Sequence, residues 1–204
     1  MRRKIIAGNW KMYKTIKDGQ ALVNSLKREL NDIDEADIVV CPPHVLLSYI
    51  SDMLTSSNIM LGAQDVHWEK EGAFTGEVSA DMLKDVGCKY VIIGHSERRQ
   101  FFGETNDTVN KKVKAVLAAG LTPIVCVGES LSEREAVKTF DVVRDHVQNG
   151  LKGLTKDDVL KIVIAYEPVW AIGTGKTAAP EQAQEAHAFI RKVLGELWGK
   201  DAAA

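Results

Sequence analysis

The sequence predicts an α/β fold of repeated strand–helix units, with parallel strands arranged as a barrel. Three observations carry that prediction. Short apolar runs rich in Val and Ile alternate with segments of helical periodicity. The runs show little apolar–polar alternation, as expected of parallel strands covered on both faces. Polar residues of catalytic type follow the runs: Asn9 and Lys11, Gln64, His95 and Glu97, Glu129, and Glu167. An open doubly wound sheet concentrates such residues near one switch point, whereas a barrel spreads them over many strand ends on one face. Five separate strand ends favour the barrel.

The predicted strands are Lys4–Asn9, Asp37–Cys41, Ile59–Gln64, Tyr90–Ile93, Thr122–Val127 and Ile162–Tyr166. A helix after Thr15, a suitable N-cap, places Leu22, Val23, Leu26 and Leu30 on one face. A second pattern carries Val109, Val113, Val116 and Leu117 and stops at Gly120. A third opens with Ser132-Glu133-Arg134-Glu135, read as a capping box. The last begins at Pro180 and stripes Ala183, Ala186, Ile190, Val193, Leu194 and Leu197. No low-complexity linker interrupts the chain, so residues 1–204 are expected to form one domain with six βα units.

Bulk properties narrow the function classes. The 204 residues can bury a sizeable core, and 45% apolar content suits a globular fold. The 26 Lys and Arg nearly balance 28 Asp and Glu, which argues against general binding to nucleic acid or a membrane surface. No run approaches the roughly 18 apolar residues of a membrane span. The N-terminal segment Met1–Gly8 is too short in its apolar part for a signal peptide. Cys41, Cys88 and Cys126 are far apart and form no zinc pattern, so they read as small buried apolar residues in a reducing cytoplasm.

Glu167 is the leading candidate for chemistry. It follows the apolar strand Ile162–Tyr166, and partial desolvation there raises a carboxylate pKa toward that of a useful general base. The plainer alternative is a surface Glu or a structural ion pair. The segment after it combines a stiff start, Pro168-Val169-Trp170, with a small-residue tip, Ala171-Ile172-Gly173-Thr174-Gly175, and ends in Lys176-Thr177. It exceeds the usual βα connection of about two to six residues and reads as a lid that closes over substrate. A phosphate-loop reading fails, because its first glycine would fall at Trp170.

His95 sits where a strand turns into a helix. A helix N-terminus opposes imidazolium, so a neutral ring there suits hydrogen bonding to a substrate carbonyl. A lone His is more often structural. Lys11 follows the first strand, where an ammonium would attract a phosphate and Asn9 would add a neutral donor. A solvated Lys is the simpler reading of that position. Glu97 is read as orienting rather than reacting. The polar stretch Gln64–Glu77, with Gly72, Ala73, Phe74, Thr75 and Gly76 in its middle, is long for a connection and suggests docking into a partner.

GNWKM (Gly8–Met12), IGHSERR (Ile93–Arg99) and YEPVWAIGTGKTA (Tyr166–Ala178) together resemble the triosephosphate isomerase family over the whole chain. The resemblance implies a TIM (β/α)8-barrel type of fold. It also implies interconversion of dihydroxyacetone phosphate and D-glyceraldehyde 3-phosphate through an enediolate, in glycolysis and gluconeogenesis, with no cofactor and no metal. By motif, Glu167 would be the base and His95 the neutral electrophile. Lys11 and Asn9 would bind substrate, Glu97 would support Lys11, and Gly173 would donate to the phosphate. The family is typically a homodimer whose third loop, here Gly72–Glu77 with Thr75 at its tip, inserts into the neighbouring subunit.

One departure tempers this expectation. The barrel typically takes about 250 residues, and this chain reaches Ala204 just after its sixth helix. Two βα units that carry phosphate-holding turns in the family are not in it, so a C-terminally incomplete member is expected. Exposed edges at the first and sixth strands and a weakened phosphate grip would follow. The alternative reading is an inactive partial barrel that acts by association.

Overall fold

The computed structural model describes residues 3–203; Met1 and Arg2 of the N-terminal segment read above, and Ala204, lie outside them. The elements in chain order are β1 (Lys4–Asn9), α1 (Ile16–Leu30), β2 (Ala36–Cys41), α2 (Leu47–Leu54), β3 (Ile59–Ala63), α3 (Ala80–Asp85), β4 (Tyr90–Ile93), α4 (Ser96–Phe102), α5 (Asn106–Ala118), β5 (Thr122–Val127), α6 (Leu131–Glu135), α7 (Thr139–Gly150), α8 (Lys156–Val159), β6 (Val163–Tyr166) and α9 (Pro180–Trp198). The strand order is β1-β2-β3-β4-β5-β6. This is an α/β fold of TIM-barrel type with six βα units.

Among the described residues two compact units are distinguished: 3–92 with 115–123, and 93–114 with 124–203. In the first, β1 and β2 run parallel from Lys4 opposite Ala36 to Asn9 opposite Cys41. β3 adds to β2 with Ile38 opposite Ile59. The core here includes Val39, Leu46, Ile50, Leu61, Val66, Leu83 and Val91, all buried. In the second, β5 and β6 pair parallel with Ile124 opposite Val163 and Val127 opposite Tyr166. Val109, Val113, Val125, Val143, Val147, Ile190 and Val193 form its core.

Burial on both faces holds for β2, β4 and β5 but fails at β1, where most residues are exposed and Ile6 is 64% exposed. β1 and β6 stand at the two ends of the strand order, so among the described residues each has a strand neighbour on one side. The open edge expected from sequence is matched by exposure at β1 only, because every residue of β6 is half-buried.

Local signals explain most helix starts. Thr15 caps α1 in a box: its Oγ1 accepts from the Asp18 N–H, and Asp18 accepts from the Thr15 N–H at 3.1 Å. α9 starts at Pro180 as expected and buries Ala186, Ile190, Val193 and Leu194, while Leu197 stays exposed. The capping box expected at Ser132–Glu135 lies two residues earlier. Ser130 caps α6, and Glu133 accepts from the Ser130 N–H at 2.7 Å. The helical pattern that follows is split, because Val137 adopts φ 58° between α6 and α7. All three cysteines are free and buried, and burial raises the Cys41 and Cys88 thiols to about 12. Among the described residues no helix is long and apolar enough to cross a membrane.

Candidate active site

In the second unit, three consecutive features of the chain meet: the end of β4, the end of β5 and the start of the segment after β6. Glu167 follows β6, and its backbone N–H donates to the Val127 carbonyl at 2.9 Å, continuing the β5–β6 ladder by one residue. The approach is close enough to require glycine at 128: a Cβ there would lie 1.8 Å from the Glu167 carbonyl oxygen. Glu167 is thus placed by backbone before its side chain makes any contact.

The side chain is then fixed from the β4–α4 turn. Oε1 accepts from the Ser96 N–H at 2.6 Å and Oε2 from the Ser96 hydroxyl at 3.0 Å. His95 Nε2 lies 3.3 Å from Oε2, with both side chains largely buried. Burial is the main influence on the Glu167 pKa and raises it. His95, the two Ser96 bonds and Arg99 each pull it down, and the net shift is upward. The result is a desolvated carboxylate of increased basicity beside a polarising ring.

His95 occupies the N-cap of α4, where its Nδ1 accepts from the Glu97 N–H at 3.2 Å. A ring nitrogen that accepts from an amide carries no proton. The proton of the neutral imidazole therefore sits on Nε2, the nitrogen that faces Glu167. The Glu97 carboxylate lies 3.6 Å from the same Nδ1, beyond hydrogen-bond length, so the amide contact sets the tautomer. Nε2–H is then available as a donor, which is the role an electrophile toward a carbonyl needs.

The segment after Glu167 is anchored at its start and exposed at its tip. Val169 donates to the Glu129 carbonyl at 3.1 Å. Trp170 is buried, and its Nε1 donates to Glu129 Oε1 at 2.9 Å. Glu129, with no exposed surface, also accepts from Arg134 Nη1 at 2.8 Å and from the Tyr166 hydroxyl at 3.0 Å. Burial beside this carboxylate raises Tyr166 to about 12, so its hydroxyl remains a donor. Gly173 and Gly175 adopt φ 69° and 75° at the exposed tip, while Thr174 Oγ1 donates back to the Trp170 carbonyl at 2.9 Å.

In the first unit, Lys11 takes the left-handed conformation, φ 53°, unusual for a residue with a Cβ. Two side chains hold it there. Asn9 Oδ1 accepts from the Lys11 N–H at 2.9 Å, and Gln64 Nε2 donates to the Lys11 carbonyl at 2.9 Å and to the Cys41 carbonyl at 2.8 Å. The long stretch after Gln64 is closed by the His67 N–H donating to the Val78 carbonyl at 2.8 Å. Thr75 is exposed at its tip; Phe74 is 42% exposed and packs on His67, with centroids 4.4 Å apart.

His95 and Glu167 are therefore brought together, as are Asn9, Lys11 and Gln64. Sequence reasoning assigned no role to Ser96, although it lies next to His95. It also missed Glu129 as the anchor of the following segment; its position just past β5 was the signal. Among the described residues no group of three or more His, Cys, Asp or Glu is arranged to hold a metal ion.

A model of the family described as triosephosphate isomerase matches residues 4–204. The triosephosphate isomerase of Geobacter metallireducens is 59% identical over 198 residues, which cover 97% of this chain and 79% of the relative. That of Moorella thermoacetica is 57% identical over 204 residues, covering 100% and 82%. The crystal structure of triosephosphate isomerase from Bartonella henselae is 38% identical with a TM-score of 0.87, covering 99% of this chain and 80% of that one.

Proposed function

The chain belongs to the triosephosphate isomerase family, and we propose that it interconverts dihydroxyacetone phosphate and D-glyceraldehyde 3-phosphate. The observation that carries this reading is the buried Glu167 carboxylate 3.3 Å from His95 Nε2, with Nδ1 of the same ring accepting from the Glu97 N–H. A raised pKa makes Glu167 a better base, and ionised it removes a proton from the carbon beside the substrate carbonyl. His95 Nε2–H donates to the carbonyl oxygen as charge develops, and the enediolate results. Returning the proton to the adjacent carbon, while the hydroxyl proton passes from one enediolate oxygen to the other, completes the isomerisation. These steps need a base and a donor, and side chains supply both.

Glu167 must exchange its two Ser96 bonds for substrate. Pro168, Val169 and Trp170 follow it directly in the chain, so its movement and that of the segment Pro168–Thr177 are mechanically joined. We read that segment as a lid, with Ala171, Ile172, Gly173, Thr174, Gly175 and Lys176 in its moving part and Gly173 donating to the phosphate. For Lys11 and Asn9 the reading is substrate binding and stabilisation of enediolate charge, and for Glu97 it is support of Lys11. The motif matches at these positions support those roles.

The same reading includes a homodimer through Gln64–Glu77, a cytoplasmic setting in glycolysis and gluconeogenesis, and residues 1–204 as one domain. Exposed apolar side chains in the first unit, Met12 at 93%, Tyr13 at 70% and Val45 at 86%, favour self-association. The test is conversion of D-glyceraldehyde 3-phosphate by the purified chain and by Glu167→Asp. Turnover that falls by roughly a hundredfold in the variant, with the fold retained, is expected because carboxylate placement is steep in its effect. No turnover by the wild-type chain, or equal turnover by both, would remove this reading.

A further inference from the structure

We propose that Arg99 is a positioning residue for the His95–Ser96–Glu167 cluster, clamping the β4–α4 turn to α5 through its guanidinium fork and, by way of Asn106, to α7. This rests on the isomerase reading of the site. Arg99 Nε donates to the Gly94 carbonyl at 2.9 Å, immediately before His95. Nη1 donates to Asn106 Oδ1 at 2.8 Å, at the start of α5. Asn106 Nδ2 in turn donates to Asp145 Oδ2 at 2.7 Å on α7, and Asn149 holds Oδ1 of the same carboxylate at 2.6 Å. Arg99 thus ties the turn that carries His95 and Ser96 to α5, and Asn106 carries the link on to α7.

The turn is shaped to admit the guanidinium. Gly94 has φ 74°, and a Cβ there would lie 3.1 Å from Arg99 Nη2 and 3.0 Å from a Val109 methyl. Nη2 itself is buried and has no hydrogen-bond partner among the described residues. Leaving a charged donor buried and unpaired costs stability. The other two nitrogens of the planar fork hold the turn and the start of α5.

Its charge acts in the same direction. Glu104 between α4 and α5, Cys126 on β5, Asp145 and His146 on α7, and Glu167 after β6 all face Arg99 electrostatically. His95 and Arg99 are the charged or titratable groups facing Glu167, and both favour its ionised form. Arg99 opposes the effect of burial, which favours the protonated form.

Two variants separate fork from charge, with the Glu167 carboxyl carbon titrated by NMR, Ser96 amide exchange measured, and kcat and KM determined. Arg99→Met is expected to raise the Glu167 midpoint, because a cation that favours the carboxylate is lost, and to lower kcat by roughly tenfold with KM little changed. Arg99→Lys keeps the charge and loses the fork, so the midpoint stays near wild type while Ser96 amide exchange quickens several-fold, by roughly the change in turn opening. If Arg99→Met does not fold, Arg99→Lys decides alone. Wild-type Ser96 exchange in Arg99→Lys, or a wild-type Glu167 midpoint in folded Arg99→Met, overturns the proposal. Absence of turnover in the wild-type chain would sink the isomerase reading, yet both NMR readouts would still decide on Arg99.

Discussion

Ser96 offers Glu167 both of its polar groups, the backbone N–H to Oε1 at 2.6 Å and the hydroxyl to Oε2 at 3.0 Å. Both bonds favour the carboxylate over the acid, against burial that favours the acid. Glu167 must be ionised to act as a base, so activity is lost as pH falls through its raised pKa. Ser96→Ala removes the hydroxyl donor and leaves the N–H. The acid limb of kcat/KM, already above the ordinary glutamate value, is expected to move further up, because a bond that favours the carboxylate is lost. A pH–rate profile checks this; a limb that stays put or moves down would contradict it.

Glu129 and Trp170 give a second prediction. Removing a fully buried carboxylate leaves Arg134, Tyr166 and Trp170 without their common acceptor. Breaking a buried pair of this kind costs about 3–5 kcal/mol. Glu129→Ala should therefore shift the urea midpoint down sharply, and the environment of Trp170 should change in fluorescence. A variant with wild-type stability and spectrum would mean that the anchor is not formed.

His146 gives a stability prediction with a defined pH window. Burial, and then Arg99, lower its pKa from 6.5 to about 4. Its Nδ1 faces the Gly128 N–H at 3.5 Å, an acceptor position that suits the neutral ring. In the folded chain His146 stays neutral while in the unfolded chain it protonates below about 6.5, so unfolding takes up a proton between those values. This contribution is present above pH 6.5 and is lost as pH falls toward 4. At pH 5 the loss is about 2 kcal/mol. His146→Gln should flatten that part of the stability profile, read by urea unfolding at pH 7 and pH 5; an unchanged slope would contradict it.

Much of this arrangement was legible from residue order. The strand runs were read within about a residue because parallel strands demand Val- and Ile-rich segments. Thr15 and Pro180 marked helix starts because their chemistry suits only those positions. Glu167 and His95 stood out because each polar residue ends an apolar strand. What escaped was carried by contacts distant in sequence. Ser96 meets Glu167 across 71 residues, and Glu129 meets Trp170 across 41. Neither pairing leaves a periodic trace. The capping box was misplaced because Ser130 and Ser132 both precede a Glu by three residues, and local spacing does not choose between them.

The proton shuttle is the centre of this account, and isotope exchange reads it directly. The purified chain and Glu167→Gln are each incubated with dihydroxyacetone phosphate in deuterium oxide, and deuterium entering the substrate carbon is followed by NMR. Steady incorporation by the wild type and loss of at least about a thousandfold in the variant is the predicted result, because general-base action contributes on this scale. Incorporation by folded Glu167→Gln at the wild-type rate would contradict the assignment of Glu167 as the base.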